Sequence, residues 1–288
     1  MAYLDTTTGA NFIPELWSEP IYKFFFRKLK LRNSVDDYSS MIKNQGDTIH
    51  IPKIQMDGVE SKTASSAVSF SIAGTEGKVD LTIGNWKYLA NVFEDMAVIQ
   101  SNSELIGKYT KMYGEALARK VETDLWAELD GFQTRVDVPA NNTFTVATLE
   151  TVLANLYSQD IDPNDCSMAL SNLLLADILD PAAGVAQYFI RQDASGEGQG
   201  LRTGAVGLIY GMNVFHTAAA PTATTNDLAV GAIYPSNACA IAVQQDIRVQ
   251  AQYDVAYLGT KVVADIIYGM KLIDESGDLR GMNLVNLG

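Results

Sequence analysis

The fold is decided by three segments: GDTIHIPKI (residues 46–54), VSFSIAGTEGKVDLTI (residues 68–83) and SNSELIGKYTKMYGEALARKVETDLWAEL (residues 101–129). The first two alternate apolar and polar residues with a period of two, which is typical of half-buried strands. The third spaces its apolar residues at helical intervals. The sequence therefore predicts a long β excursion followed directly by a long helix.

The β excursion is predicted as a two-stranded ribbon over residues 46–92. Its middle, residues 57–67, is polar and small and is predicted to be the tip. Gly74 and Gly77 indicate a bulge or bend on the returning arm. An arm of about 20 residues would reach roughly 60 Å, and an isolated two-stranded ribbon is only marginally stable in water. We therefore expect another molecule to cover the ribbon, and a second copy of the chain is the natural candidate.

The helix is predicted over residues 101–129, with Ser101 or Ser103 as N-cap and Gly131 as its stop. About 30 residues would give a rod of roughly 45 Å, long enough to support a thin, wide domain. The predicted apolar stripe consists of Leu105, Tyr109, Met112, Ala116, Val121, Leu125 and Leu129.

Composition excludes several classes of protein. The 288 residues are 47% hydrophobic and 19% charged, which is typical of a folded chain of one or two domains. No apolar run approaches the roughly 18 residues of a membrane span, and the N-terminus does not resemble a signal peptide. The net charge of −13 argues against a surface that grips nucleic acid by its phosphates. Cys166 and Cys239 either form a bridge or, as we interpret them, are buried apolar residues of a cytoplasmic protein.

The rest of the chain alternates short helices and strands, which predicts a compact α/β or α+β unit. Residues 131–142 and 160–165 are predicted as a loop and a turn, and residues 35–41 as a short strand or loop. Within residues 14–31 a helix is predicted to begin near Pro20, and further helices are predicted at residues 146–157 and 172–179. Strands are predicted at residues 166–170, 205–210, 212–216, 228–233, 239–243, 247–257, 261–268 and 270–273.

The sequence contains no recognisable catalytic pattern. His50 and His216 each lie in a strand pattern and are interpreted as structural. Three aspartates around a turn, at positions 160, 162 and 165, lack the register of a calcium loop. The loop SGEGQG (residues 195–200) matches neither phosphate-binding glycine pattern. We therefore predict no catalytic, cofactor-binding or metal-binding residues, and we expect the chain not to be an enzyme.

The order of these segments resembles a known family, the major capsid proteins of tailed bacteriophages with the Hong Kong 97-type fold. The resemblance covers nearly the whole chain. It rests on FIPELWSEPIYKFFFRKL (12–29), GDTIHIPKI (46–54), VDLTIGNWKYLANVFEDMAVIQS (79–101), LRTGAVGLIYGMNVFHTAAAP (201–221) and AIAVQQDIRVQAQYDVAYLGTKVVADIIYGMKLI (240–273). The similarity lies in the order of the segments and in their patterns of apolar and polar residues, and it includes no catalytic motif.

The resemblance implies an α+β fold with four parts. Residues 1–45 are an N-terminal arm with a short helix, and residues 46–92 are the extended loop, a β-hairpin. Residues 93–145 and 236–288 form a peripheral domain that contains the spine helix, at about residues 101–130. Residues 146–235 form an axial domain, whose loops, such as residues 195–200, meet around the capsomer axis.

The resemblance also implies a function. Copies of the chain would assemble into pentamers and hexamers of an icosahedral virion shell, with the extended loop of one subunit lying over the peripheral domain of its neighbour. The shell would form in the host bacterial cytoplasm and enclose double-stranded DNA without sequence-specific binding or membrane contact. Expected partners are scaffolding, portal and possible decoration proteins, with scaffolding separate or absent. Some family members cross-link subunits through a loop lysine, but nothing marks Lys53, Lys62 or Lys78 as reactive, so we predict no cross-link.

Two alternatives remain. An encapsulin-like compartment with the same fold would enclose a cargo enzyme instead of a genome. An enzyme of unknown class is suggested only by the α/β stretch of residues 146–216, and a deep pocket with perturbed carboxylates would support it.

Overall fold

The computed structural model describes residues 29–42, 46–53, 61–67, 77–95, 105–138, 144–179, 207–221, 229–273 and 280–285. Within these residues the chain is mixed α and β, in agreement with the predicted α+β class. The strands are β1 (Asp36–Asp37), β2 (Thr48–Lys53), β3 (Gly77–Thr82), β4 (Asn85–Glu94), β5 (Thr134–Asp137), β6 (Cys166–Leu170), β7 (Gly207–Ile209), β8 (Met212–His216), β9 (Ala229–Pro235), β10 (Cys239–Asp254), β11 (Gly259–Leu272) and β12 (Met282–Val285). The helices are α1 (Leu105–Leu129), α2 (Val146–Ser158) and α3 (Asn172–Leu179).

The first core lies between α1 and a four-stranded sheet of order β1-β10-β11-β4. Strands β10 and β11 pair antiparallel along almost their whole length, and β4 adds to the outer edge of β11. One face of β11 packs into this core through Val262, Ala264, Ile266 and Tyr268. The helix therefore lies against the sheet as the predicted spine of this part of the molecule.

The buried face of α1 differs from the predicted stripe at its first half. Tyr113 and Leu117 are buried and continue the four-residue spacing of Val121 and Leu125, whereas Met112 and Ala116 are exposed. The predicted stripe stepped five residues from position 116 to 121, which turns about 140° around a helix. A step of that size cannot stay on one face, so the prediction was wrong at these two positions.

The second core belongs to a six-stranded sheet of order β5-β12-β9-β6-β8-β7, which packs against α2 and α3. Helix α2 begins where predicted, because the Thr145 side chain accepts a hydrogen bond from the backbone N–H of Thr148. Strand β6 and helix α3 also lie where predicted. The predicted turn before β6 is confirmed, since Asp162 Oδ1 accepts the N–H of Asn164.

Several predicted boundaries were wrong. Residues 131–142, predicted as loop, contain β5, and β12 was not predicted at all. The strands predicted at 239–243 and 247–257 form one strand, β10, whose register shifts at Val243/Gln245 and Gln245/Arg248 explain the break in its pattern. Likewise, the strands predicted at 261–268 and 270–273 form the single strand β11. The helix predicted to begin near Pro20 lies mostly outside the described residues, and residues 29–31, at the end of that segment, are not helical.

The returning arm of the predicted ribbon ends earlier than expected, because residues 85–92 belong to another sheet. Strands β2 and β3 pair antiparallel as a two-stranded sheet, from Thr48 opposite Thr82 to Lys53 opposite Gly77. Strand β4, predicted as part of the returning arm, instead pairs with β11. Its alternating pattern is the same in either position, because a period of two reports a half-buried strand and not the partner of that strand. The division of the chain into domains stays a prediction.

The end of α1 is joined to the second sheet by hydrogen bonds. The buried Asn283 side chain, on β12, donates to the carbonyl oxygens of Leu129 at 3.1 Å and Asp130 at 2.9 Å. Asp130 Oδ1 in turn accepts the backbone N–H of Ala229 at 3.0 Å. Carbonyls in the last turn of a helix lack partners within the helix, so these contacts satisfy them and fix α1 relative to β9 and β12.

We expect Asn283→Ala to lower the free energy of unfolding by about 1–3 kcal/mol, because two buried carbonyls lose a donor. Urea unfolding followed by circular dichroism measures the change. The matched control is Asn213→Ala, since Asn213 is exposed on β8 and its loss should change stability by less than about 0.5 kcal/mol. Equal stability of both variants and the unmodified chain would contradict the role of Asn283.

Candidate assembly surface

The base of the β2–β3 hairpin is held against the body by a small apolar cluster. Ile49, Val79 and Leu81 are buried there, against Ile42, Ala240, Ala242 and Ile273. The returning end of the hairpin passes so close to Gly269 that a Cβ there would lie 2.5 Å from the Thr82 carbonyl oxygen. The hairpin base is therefore fixed in position relative to β10 and β11.

The outer part of the hairpin has no such cluster in the described residues. His50 and Lys78 both contact the Asp80 carboxylate on its exposed surface, and the hydrogen bond from His50 lowers the pKa of Asp80. Each of residues 61–67, which belong to the predicted tip, is exposed. Within them, the backbone N–H of Ser66 donates to the Thr63 carbonyl at 3.3 Å, forming a turn. The predicted strand residues Val68, Phe70 and Ile72 lie outside the described residues.

A second feature is the face of the four-stranded sheet opposite α1. Trp86 and Tyr88 of β4 are 65% and 69% exposed, and Val92 on the same strand is also exposed. Their neighbours on β11, read from the strand register, are Ile267, Asp265 and Lys261. We call this surface, made by the outward side chains of β4, β11 and β10, the outer sheet face. Large apolar side chains gathered on one exposed surface commonly mark a contact with another macromolecule.

A buried carboxylate organises the middle of the outer sheet face. Asp265 is 3% exposed and accepts two hydrogen bonds from Arg248, from Nε at 3.1 Å and from Nη2 at 2.8 Å. The Trp86 indole Nε1 donates to the same carboxylate at 3.0 Å, and Gln245 donates at 3.4 Å. Paired, fork-like contacts of this kind fix the orientation of both partners. The network holds Trp86 in place although most of its ring is exposed.

The turn between β10 and β11 forms a third exposed apolar feature. Val255, Tyr257 and Leu258 are all exposed there. The Lys261 ammonium lies 4.8 Å from the centre of the Tyr257 ring, and Tyr253 donates to Asp95 at 2.8 Å. These contacts give the turn a defined shape, so its apolar side chains are presented in a fixed arrangement.

The residues considered for catalysis are not brought together. His50 lies on the exposed hairpin, whereas His216 ends β8 beside α1. Cys166 and Cys239 are buried free thiols, as interpreted from the sequence, and burial raises the pKa of Cys166 to about 11 and of Cys239 to about 12. Such thiols stay protonated at neutral pH and are poor nucleophiles.

The acidic turn after α2 does not form a metal site in the described residues. Asp162 is engaged by Asn164, and no group of three or more metal-ligating side chains is found in that part of the chain. Among the described helices, none is long and apolar enough to cross a lipid bilayer. The loop SGEGQG lies outside the described residues. That the chain has no catalytic, cofactor or metal site stays a prediction.

Two functional groupings were missed by the sequence analysis. In the network around Asp265, Trp86 lies 179 positions away in the sequence and Arg248 lies 17 positions away. No local sequence pattern indicates contacts over such separations. The second is Glu122, a charged residue of α1 outside the predicted apolar stripe, which is buried. Its position one residue after Val121 was the only available signal, because it lies at the edge of the apolar stripe.

The fold is shared with solved capsid structures. A structure from Mycobacterium phage Che8 matches with a TM-score of 0.67 and 18% identity, over 89% of this chain and 90% of that one. The mature capsid of bacteriophage PhiM1 matches with a TM-score of 0.69 and 12% identity, over 90% and 88%. The capsid of Ralstonia phage GP4 matches with a TM-score of 0.63 and 10% identity, over 88% and 87%. No protein-family model matches the chain, and no curated protein is similar to it in sequence. The predicted Hong Kong 97-type α+β fold is confirmed.

We expect Arg248→Met to destabilise the subunit by about 1–3 kcal/mol, because it removes the main partner of a buried carboxylate while keeping the apolar stem. Urea unfolding measures the loss of stability. The substitution should also change the fluorescence of Trp86, because it alters the surroundings of that side chain. Lys261→Met is the matched control on the same two strands. Its ion pair with Asp254 is exposed to solvent, so little change is expected. If the two variants lose the same stability, Asp265 does not organise the outer sheet face.

Proposed function

We propose that this chain is the major capsid subunit of a tailed bacteriophage, assembling into pentamers and hexamers of an icosahedral shell that encloses double-stranded DNA. The carrying observation is a hairpin whose base is packed against its own subunit and whose described tip residues, 61–67, are all exposed, on a fold shared with phage capsid structures. The role is structural and non-catalytic.

The hairpin supports this proposal because its stability requires a partner. Among the described hairpin residues, the apolar cluster lies at the base and the tip residues 61–67 are exposed. A two-stranded ribbon needs a third strand or an apolar partner to be stable in water. The sequence between base and tip carries the alternating residues Val68, Phe70 and Ile72, which would give a ribbon one apolar face. A second subunit can cover that face.

The outer sheet face is the surface that we propose receives the neighbour's hairpin. It presents Tyr88, Val92 and the fixed ring of Trp86 beside the Arg248–Asp265 pair. An apolar centre flanked by polar groups is the usual composition of a protein–protein interface. This interface would place the extended loop of one subunit over the peripheral domain of the next, as the family resemblance implies.

The charge of the chain supports enclosure of DNA without tight binding. A net charge of −13 repels phosphates at long range. A shell wall with this charge would surround the genome and release it without breaking specific contacts. Scaffolding, portal and possible decoration proteins are the expected partners, and the expected location is the virion, after assembly in the host bacterial cytoplasm.

Replacing residues 57–67 with a Gly-Ser-Gly linker tests the role of the hairpin. We expect the variant to fold with unchanged circular dichroism and thermal midpoint but to form far fewer particles, because the contact between subunits is shortened. Size-exclusion chromatography and negative-stain electron microscopy measure the particles.

The unmodified chain, as the control, should form capsomers or shells under the same conditions. A chain that stays monomeric would contradict the proposed function, and normal shells from the linker variant would contradict the role of the hairpin. Particles that enclose a protein cargo instead of DNA would favour the compartment alternative.

Substitution of Tyr88→Thr together with Val92→Thr tests the outer sheet face. Both residues are exposed on the edge strand β4, so stability should change little, while the loss of apolar area should reduce assembly at least tenfold. Threonine is β-branched and is itself favoured in strands, so both substitutions suit β4. Light scattering during assembly gives the rate and extent.

Ala90→Ser is the matched control, because Ala90 lies between these residues on the same face of the same strand. It should assemble normally. Unimpaired assembly of the double variant would show that the outer sheet face is not an interface.

A further inference from the structure

The arm root, which we define as residues 29–35, joins the N-terminal segment to α1. Leu29, Leu31 and Val35 are buried in the core between α1 and the four-stranded sheet. The side chain of Ser34 adds a hydrogen bond to the Tyr234 hydroxyl at 2.7 Å. The N-terminal segment is therefore attached to the body at this point.

A buried carboxylate of α1 lies directly beneath the arm root. Glu122 is only 6% exposed, and its Oε1 accepts the backbone N–H of Leu31 at 2.9 Å and of Arg32 at 3.4 Å. The arm root thus both covers this carboxyl group and satisfies part of its hydrogen-bonding capacity.

A cavity of about 190 Å³ opens beside Glu122 and gives it a route for proton exchange with solvent. The charged and titratable groups facing the site come from every element around it. They are Lys30 and Arg32 of the arm root, Glu115 and Arg119 of α1, His216 of β8 and Tyr234 of β9. Arg32 is also paired with Asp37.

Burial affects the pKa of Glu122 more strongly than its hydrogen bonds do. Desolvation raises the pKa of Glu122 to about 7, although the N–H groups of the arm root and the charge of Lys30 act in the opposite direction. When the arm root leaves, water reaches the carboxyl group and its pKa returns towards the ordinary range. Docking of the arm root therefore takes up a proton.

The sign of the pH dependence follows from this uptake. A carboxyl group whose pKa is raised in the docked state favours docking at low pH, and that advantage is lost as pH rises to about 7. His216 acts in the opposite sense, because burial and Lys30 lower its pKa. The two groups can therefore be told apart by the direction of the effect.

We propose that the contact between Glu122 and the arm root is a pH-sensitive attachment, which holds the N-terminal segment to the spine helix more tightly in acid than at neutral or alkaline pH. The contact lies within one subunit, so this inference does not rest on the proposed function.

Hydrogen–deuterium exchange of the unassembled full-length chain, followed by mass spectrometry, tests the proposal between pH 5 and 8. After correction for the intrinsic pH dependence of exchange, protection of a peptide covering residues 29–35 should fall with rising pH and level off above about 7. The limiting slope for one proton is about tenfold per pH unit. A peptide from the middle of β10 should show no such change.

Four variants separate the causes. E122Q keeps an oxygen acceptor but cannot ionise, so its protection should no longer fall as pH rises. E115Q removes a neighbouring carboxylate that lines the same cavity and should keep the dependence of the unmodified chain. H216Q removes the group that acts in the opposite sense, so its protection should fall with rising pH at least as steeply as in the unmodified chain. Y234F removes the bond to Ser34 and should lower protection a few-fold equally at every pH.

Protection that is constant or rises with pH in the unmodified chain would overturn the proposal, as would the same pH dependence in E122Q. If E122Q does not fold, the sign measured in the unmodified chain and its persistence in E115Q and H216Q decide the question. Disappearance of the effect in H216Q would assign it to the histidine and contradict the role of Glu122.

Discussion

The packing of α1 on the β10–β11 pair is the interaction on which the other parts of the structure depend. Tyr113, Leu117 and Leu125 of the helix lie in the same core as Ala264 and Ile266 of the sheet. Without a helix this long, the two strands would have no cover on their inner face. The C-terminal half of the helix then connects to other elements, because Glu122 binds the arm root and the carbonyl of Leu129 accepts a hydrogen bond from Asn283.

The described residues comprise two covered sheets and a hairpin whose base is packed against them. Both sheets bury their apolar residues, and the hairpin base buries Ile49, Val79 and Leu81. The sheet face opposite α1 is left with exposed aromatic side chains held in a fixed position by Asp265. In the proposed shell, contacts between repeated copies of the chain would cover both the exposed tip residues 61–67 and the exposed aromatic side chains of the outer sheet face.

Local signals in the sequence predicted much of the fold. Helix α2 has a capping threonine, Thr145, and strand β6 follows a proline turn, so both were found near their true bounds. The four-residue strands β5 and β12 were missed because their pairing with each other is a long-range contact that leaves no periodic pattern. Strand β4 was placed in the wrong sheet for the same reason. The period of two in its sequence does not identify which strand lies beside it.

The candidate surface was less predictable than the fold. The need for a partner followed from the length of the ribbon, but the residues that would receive it did not. Trp86, Arg248 and Asp265 are far apart in sequence and meet only because β4, β11 and β10 are neighbours. Burial of Glu122 likewise depends on the arm root crossing α1, which no helical pattern specifies.

A cryo-electron microscopy reconstruction of particles assembled from the purified chain would test the central claim most directly. The account predicts density for residues 54–76 lying across the outer sheet face of an adjacent subunit, in contact with Tyr88 and Val92. Density showing the same residues folded back onto their own subunit, with the outer sheet face open to solvent, would contradict it.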